Sequence, residues 1–87
     1  MVLVYVLYSL DFNTTYTGMT KDLDRRIREH NKGQNKSTKA YIPWKLIHKE
    51  EFDSRIEARR REKFLKSGNG REFLKAIIIN RPRGATE

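Results

Sequence analysis

The sequence contains no cysteine and only two histidines. Without cysteine there can be no disulfide, no thiolate zinc site and no cysteine nucleophile. Two histidines are too few for a histidine-rich metal cage. These absences restrict the chain to chemistry that needs neither thiolates nor several imidazoles.

Long apolar segments are also missing. The longest continuous apolar run, residues 2–8, is too short to cross a bilayer. It lacks a basic leader and reaches Asp11 without a cleavage site of small residues. We therefore interpret it as a β-strand and expect a cytoplasmic protein with no membrane association.

Acidic residues are few relative to basic ones. Lys and Arg number 19 against 11 Asp and Glu, a formal net charge of +8 in 87 residues. Such a field attracts phosphate backbones or anionic lipid, and nucleic acid is the leading partner; solubility alone is the alternative. A chain of this length has material for one modest core and therefore one domain.

The first half of the chain predicts two strands and a helix. Residues 2–9 are almost all β-branched or aromatic, which is typical of a central strand covered on both faces. Residues 14–18 resume β-forming side chains after a turn, so the two segments should pair as an antiparallel hairpin. We predict a helix over residues 21–31 with Thr20 as N-cap and Gly33 as its left-handed stop.

The second half predicts a loop, one strand and two helices. Residues 32–43 have little apolar periodicity and predict a long mobile loop, and residues 44–52 alternate imperfectly and predict a third strand. Helices should begin at Ser54 and Asn69, each followed three residues later by Glu, and residues 81–87 should fray. The expected fold is α+β, a three-stranded antiparallel sheet flanked by helices in the order β-β-α-β-α-α, with one domain over residues 1–80.

Three ionisable residues on the predicted helices lie beside or within apolar stripes. Steps of 100° place Arg26 and His30 beside the stripe of the first helix, where Arg26 can aim a rigid guanidinium at a phosphate. The alternative is a local salt bridge. Glu62 lies within the stripe of the next helix among basic residues that would keep it ionised for Mg²⁺; the alternative is a salt bridge to Lys66.

The tyrosines in the strands are most simply packing residues, and Tyr8 and Tyr41 stay in that class. Tyr5 and Tyr16 should lie on neighbouring strands. A phenol is a poor base in water, so a catalytic role for either tyrosine requires a nearby cation or metal ion.

Taken in order, these segments resemble the GIY-YIG nuclease superfamily over about residues 2–79, and most closely its short stand-alone bacterial members. The resemblance is carried by the segments Val4-Tyr5-Val6-Leu7-Tyr8, Tyr16-Thr17-Gly18-Met19-Thr20, residues 22–31, Pro43-Trp44-Lys45-Leu46, Glu57-Ala58 and Arg61-Glu62-Lys63. Leu3 and Thr17 depart from the motif, whereas Gly18 is present. A family asparagine has no clear counterpart, since Asn69 reads as a helix cap and Asn80 lies at the edge of the tail.

The resemblance implies a divalent-metal-dependent endonuclease that hydrolyses DNA phosphodiesters, with a role in repair or recombination. It assigns catalytic roles to Tyr5, Tyr16, Arg26, His30 and Glu62. Glu62 would hold Mg²⁺ or Mn²⁺, Arg26 would brace the phosphate, and Tyr5 would position or deprotonate water with support from Tyr16 and His30. Which group is the general base stays open.

A DNA track should run over basic residues of the first helix and the following loop, which contact phosphates without reading sequence. These residues are Lys21, Arg25, Lys32, Lys36 and Lys39. No recognition module is visible, so specificity would come from a protein partner or from substrate shape, and we expect a monomer.

Two other functions stay open: a non-catalytic nucleic-acid-binding module that retains the fold, and a small basic protein of ribosome or nucleoid assemblies. Glu62 and Tyr5 separate them from a nuclease, because binding needs neither a buried carboxylate nor a phenol. If the chain is a nuclease, Tyr5, Tyr16, Arg26 and Glu62 should converge on one site.

Overall fold

A computed structural model describes residues 1–79, and the predicted tail lies outside them. The elements are β1 (Val2–Ser9), β2 (Thr14–Thr20), α1 (Leu23–Asn31), a short 3-10 helix (Lys39–Tyr41), β3 (Lys45–Phe52), α2 (Arg55–Lys66) and α3 (Gly68–Ile79). The predicted order and the α+β class are confirmed. Within residues 1–79 no helix has the length and apolarity needed to cross a membrane.

The sheet has the order β2-β1-β3 with both pairings antiparallel, so β1 is the central strand as predicted. Val4 and Val6 pack toward α2 and α3, and Tyr5 and Leu7 lie in a second cluster with Trp44. Each cluster covers one face of β1, which explains why that strand is apolar on both faces. The two faces separate the structural core from the side that carries the tyrosines.

A register shift explains the imperfect alternation of β3. Val6 pairs with His48 and Leu7 pairs with Leu46, which leaves Ile47 without a partner. This irregularity lets Leu46 join the Tyr5 cluster while Ile47 packs against the opposite core. Strict alternation cannot be read from a sequence that contains such a bulge.

Helix α1 begins two residues later than predicted. Its N-cap is Asp22, whose side chain accepts the Arg25 backbone N–H at 3.2 Å. Thr20 instead ends β2, and its hydroxyl accepts the Asp22 N–H at 3.0 Å. The prediction of Thr20 as the cap was therefore wrong, whereas Gly33 adopts the predicted left-handed conformation with φ +77°.

The start of α3 also differs from the prediction. The Ser54 cap of α2 is confirmed, since its hydroxyl accepts the Glu57 N–H at 3.2 Å. Helix α3, however, starts at Gly68, and the Ser67 hydroxyl accepts the Gly70 N–H at 3.2 Å. Asn69 is thus an exposed residue of the first turn and not the cap. The two helices follow one another with only Ser67 between them, which leaves no room for a cap at residue 69.

The loop after α1 is anchored at both ends of its path. Asn31 accepts the Trp44 N–H at 2.6 Å and donates to the Trp44 carbonyl at 3.0 Å. The Trp44 indole N–H donates to the Thr38 carbonyl at 2.9 Å, and both residues are buried. These contacts hold the middle of the predicted mobile loop against the Tyr5 side of the sheet.

Candidate functional site

The site is organised around Tyr5, which is completely buried in the central strand. Gly18 pairs with Tyr5 across β1 and β2, and the Tyr5 ring lies over it. A Cβ atom added to Gly18 would lie 2.7 Å from the Tyr5 hydroxyl oxygen and 2.9 Å from Cζ. Only glycine leaves space for the phenol in this position, which gives the glycine of the motif a steric reason.

A buried hydrogen-bond chain runs from Tyr5 through α1 to the loop. The Tyr5 hydroxyl lies 3.1 Å from His30 Nε2, and His30 Nδ1 lies 2.8 Å from the Thr38 hydroxyl oxygen. That hydroxyl donates to the Asn35 carbonyl at 3.4 Å, so it is free to accept the Nδ1 proton. This pattern assigns the proton of His30 to Nδ1 and makes Nε2 an acceptor for the Tyr5 O–H.

The electrostatics favour a neutral His30. Burial, and then the positive charge of Arg26, lowers the pKa of His30 below its ordinary value of 6.5. His30 is completely buried, deeper than the stripe border that helical spacing predicts. A neutral imidazole buried beside a phenol is an acceptor for the phenolic proton.

Tyr16 lies on the neighbouring strand and packs on the same group of rings. Its ring centroid is 4.8 Å from that of His30, 6.2 Å from Tyr5 and 6.4 Å from Trp44. Tyr16 is only partly buried. It therefore forms the outer wall of the site, between the Tyr5–His30 pair and solvent.

Arg26 reaches the Tyr5 hydroxyl from α1. The contact with Tyr5, opposed by burial and supported by Glu29, raises the pKa of Arg26 and keeps its guanidinium charged. Arg26 Nη1 donates to Glu29 Oε1 at 2.7 Å, and Arg25 Nε donates to the other carboxylate oxygen at 3.0 Å. Hydrogen bonds from Arg25 and then Arg26 lower the pKa of Glu29. Arg26 therefore makes both the local salt bridge to Glu29 and a contact with the Tyr5 hydroxyl.

Glu62 borders the site from α2. Its side chain is 17% exposed, as expected for a carboxylate in the middle of an apolar stripe, and Lys66 Nζ lies 3.1 Å from its Oε2. Its negative charge is close enough to raise the pKa of the Tyr5 hydroxyl. Glu62 thus combines the two expected features, partial burial and an ion pair one turn later.

The pKa of Tyr5 is the balance of these neighbours. Burial raises it most, the Arg26 hydrogen bond and charge lower it, and Tyr16 and Glu62 raise it further. The net direction is upward, so the hydroxyl keeps its proton in the free protein. An added cation beside Glu62 would oppose this rise.

The donor set suits a hydrated divalent cation. Residues 1–79 contain no group of three His, Asp or Glu side chains arranged around a common metal position. Mg²⁺, however, is commonly held by one or two carboxylates, substrate phosphate oxygens and several water molecules. Glu62 alone fits that role, with Lys66 as the partner that the cation would replace.

The predicted DNA-contacting residues are all exposed, namely Lys21, Arg25, Lys32, Lys36 and Lys39. Arg25 is already paired with Glu29, although its side chain remains 66% exposed. Sequence reasoning missed Thr38 and assigned no role to Asn31 or Trp44, because their contacts join separate segments of the chain. Thr38 belongs to the site through its bond to His30.

Comparisons with known proteins agree with this geometry. The family described as the GIY-YIG catalytic domain matches residues 1–75. The UPF0213 protein of Syntrophus aciditrophicus is 39% identical over 82 residues, covering 92% of this chain and 93% of that protein. The UPF0213 protein of Staphylococcus saprophyticus is 39% identical over 75 residues, covering 85% and 90%.

A solved structure is similar as well. The solution NMR structure of a UPF0213 protein from Bacillus halodurans shares 37% identity and superposes with a TM-score of 0.53. The match covers 88% of this chain and 85% of that one. Together with the order of strands and helices around Tyr5 and Gly18, these matches show that the chain belongs to the GIY-YIG superfamily of nuclease domains, among the small UPF0213 proteins.

Proposed function

We propose that the protein is a divalent-metal-dependent endonuclease that hydrolyses phosphodiester bonds in DNA. The observation that carries the proposal is the Tyr5 hydroxyl, fully buried, 3.1 Å from a neutral His30 and beside the guanidinium of Arg26. A structural tyrosine would need one hydrogen-bond partner. Tyr5 has an acceptor on one side and a cation on the other, as a proton-transfer group requires.

The arrangement supports two coupled proton transfers, from water to Tyr5 and from Tyr5 to His30. When the oxygen of a water molecule attacks phosphorus, its proton passes to the Tyr5 oxygen as the Tyr5 proton passes to His30 Nε2. The bond from phosphorus to the leaving oxygen breaks, and the leaving oxygen takes a proton from solvent. His30 becomes an imidazolium whose Nδ1–H is still held by Thr38, and it returns the extra proton through Tyr5 to solvent after product release. Because the two transfers are coupled, a free tyrosinate never accumulates, which is consistent with the raised pKa of Tyr5.

Arg26 and Glu62 supply the charge that this reaction needs. Arg26, aligned by Glu29, can donate to the non-bridging phosphate oxygens, whose negative charge grows in the transition state. Glu62 would hold Mg²⁺ or Mn²⁺, which neutralises phosphate charge and assists the leaving oxygen. Lys66 is 55% exposed and can leave Glu62 at small cost.

The proposal extends to the DNA substrate and its cellular role. The exposed basic residues Lys21, Arg25, Lys32, Lys36 and Lys39 would contact phosphates, and they form no base-reading element within residues 1–79. Selection would therefore depend on substrate shape or a protein partner, and branched or damaged DNA in repair or recombination suits an enzyme of this kind. The proposed enzyme acts as a monomer.

The test is cleavage of supercoiled plasmid and of a branched DNA in Mg²⁺ and in Mn²⁺. Glu62→Gln keeps the shape of the side chain, removes its charge and should abolish cleavage in both metals. Arg26→Lys keeps a positive charge but loses the planar fork, and should lower the rate by about 10²-fold. Cleavage that survives Glu62→Gln would refute the mechanism, and tight DNA binding without cleavage in either metal would favour a non-catalytic binding module.

A further inference from the structure

Positive charge is concentrated on α2. Its twelve residues contain six basic and two acidic side chains, a net charge of +4, which is half of the +8 of the whole chain. One twelve-residue helix therefore carries a dense positive charge that would attract phosphate.

Four of these basic residues share the outer face of α2. With 100° per residue, Arg55, Arg59 and Lys63 form one row, and Arg60 lies beside it. All four are exposed, whereas Ala58 and Leu65 of the same helix are buried. We call these four residues the α2 basic face; with the exposed Ile56 they line a shallow surface depression.

The α2 basic face is not neutralised by the rest of the structure. None of its four residues makes a hydrogen bond or ion pair with any other side chain in the part of the chain that the structure describes. By contrast, Arg61 is paired with Glu50 and Lys66 with Glu62. Like charges at i and i+4 destabilise a helix, so the row from Arg55 to Lys63 costs stability in the free protein.

The α2 basic face is contiguous with Glu62. On the helical wheel Glu62 lies between the buried Ala58 and the exposed Arg55. Its carboxylate is therefore a direct neighbour of the α2 basic face. A nucleic-acid strand with one phosphate near Glu62 would place its next phosphates near Arg55 and Arg59. Arg25 on α1 and the lysines of the loop, in contrast, lie on elements that cover the opposite face of the sheet.

We propose that the α2 basic face binds the phosphate backbone of a DNA duplex arm extending away from the cleavage site. The position of this arm beside Glu62 rests on the proposed nuclease function, whereas the binding itself requires no turnover. DNA would then be held from two sides, by Arg25 of α1 with the lysines around it and by the α2 basic face.

A membrane surface is a poorer match for the same charges. Interfacial helices combine basic residues with several large apolar side chains that enter the lipid. The α2 basic face offers only Ile56, which is 69% exposed. One aliphatic side chain among four cations suits a phosphate backbone better than a lipid interface.

The test compares two double variants that lose the same charge. Arg59→Gln/Lys63→Gln removes two residues of the α2 basic face, and Arg71→Gln/Lys75→Gln removes two exposed residues of α3 with the same spacing. Binding to a fluorescein-labelled DNA duplex is measured by anisotropy over a range of salt concentrations, in EDTA so that no metal-dependent cleavage occurs. Thermal unfolding checks the fold, and the α2 variant should be no less stable than the native chain.

The slope of log K against log salt should fall by about 2 for the α2 variant and stay near the native value for the α3 variant. Equal slopes for the two variants, or no duplex binding by the native chain, would overturn the proposal. Loss of binding to phosphatidylglycerol vesicles by the α2 variant, with duplex binding unchanged, would also overturn it in favour of a membrane. Binding that depends on α2 with no cleavage in either Mg²⁺ or Mn²⁺ would refute the nuclease function and leave this surface intact.

Discussion

Gly18→Ala is the most informative steric perturbation of the site. The new Cβ would lie 2.7 Å from the Tyr5 hydroxyl oxygen and 2.9 Å from Cζ, against the 3.4 Å at which ordinary contact begins. Tyr5 is completely buried and cannot turn away. Either the strands separate locally or the phenol shifts by roughly 0.5–1 Å, and overpacking of this kind costs about 1–3 kcal/mol.

The same shift should stretch the 3.1 Å bond between Tyr5 and His30. A misplacement of about 1 Å at a reacting group can lower a rate by about 10²-fold, so cleavage should fall by that order. Urea unfolding measures the stability change, and single-turnover cleavage measures the rate.

Gly68→Ala is the matched control, because nothing lies within 4 Å of its added Cβ. It should leave the rate unchanged and have little effect on stability or raise it by up to about 1 kcal/mol. Adding Tyr5→Phe to Gly18→Ala removes one of the two clashing atoms and should make the double variant less destabilised than the sum of the single changes. Gly18→Ala with native stability and native rate would refute the steric reasoning.

Three further predictions concern the buried contacts. Thr38→Val removes the acceptor for His30 Nδ1 and should cost about 1–3 kcal/mol by urea unfolding, whereas Thr38→Ser should retain most of the stability. Because the folded pKa of His30 lies below 6.5, the unfolded state binds more protons, so stability should fall as pH drops below about 6.5; His30→Gln should remove this dependence and His48→Gln should not. Arg61→Met leaves Glu50 without its two-pronged partner and should cost about 1.5–3 kcal/mol, a loss that a native-like unfolding curve would contradict.

Much of the fold is predictable from local sequence. The continuous apolar run of β1 predicts a central strand because both of its faces are covered, and the structure has both clusters. The Ser54 capping box and the left-handed Gly33 are each determined by residues within a few positions of one another. Such signals can be read without knowledge of the tertiary structure.

The errors have equally local causes. Thr20 and Asn69 are good cap residues by type, but α1 begins after Asp22 and α3 begins directly after Ser67, so these two residues cap the helices instead. Cap preference ranks residue types and does not choose between two suitable residues that are close together. Because Asn69 does not cap α3, capping does not exclude Asn69 as the counterpart of the family asparagine.

The tertiary part of the site could not be read from the sequence. Helical spacing places Arg26, His30 and Glu62 beside apolar stripes but does not say that His30 is completely buried or which group it touches. The contact with Thr38 depends on the loop folding back through Trp44. Contacts of this kind follow from packing between distant segments, for which a single sequence carries no periodic signal.

The central claim is that the Tyr5 hydroxyl takes part in phosphodiester hydrolysis. Its most direct test is the single-turnover cleavage rate of Tyr5→Phe in Mg²⁺, with Tyr8→Phe as control, since Tyr8 is also buried in β1 but its hydroxyl donates to Asn13 at 2.9 Å on the other face of the sheet. We predict a loss of about 10²–10⁴-fold for Tyr5→Phe and a native rate for Tyr8→Phe. A Tyr5→Phe protein that cleaves DNA at the native rate would contradict the account.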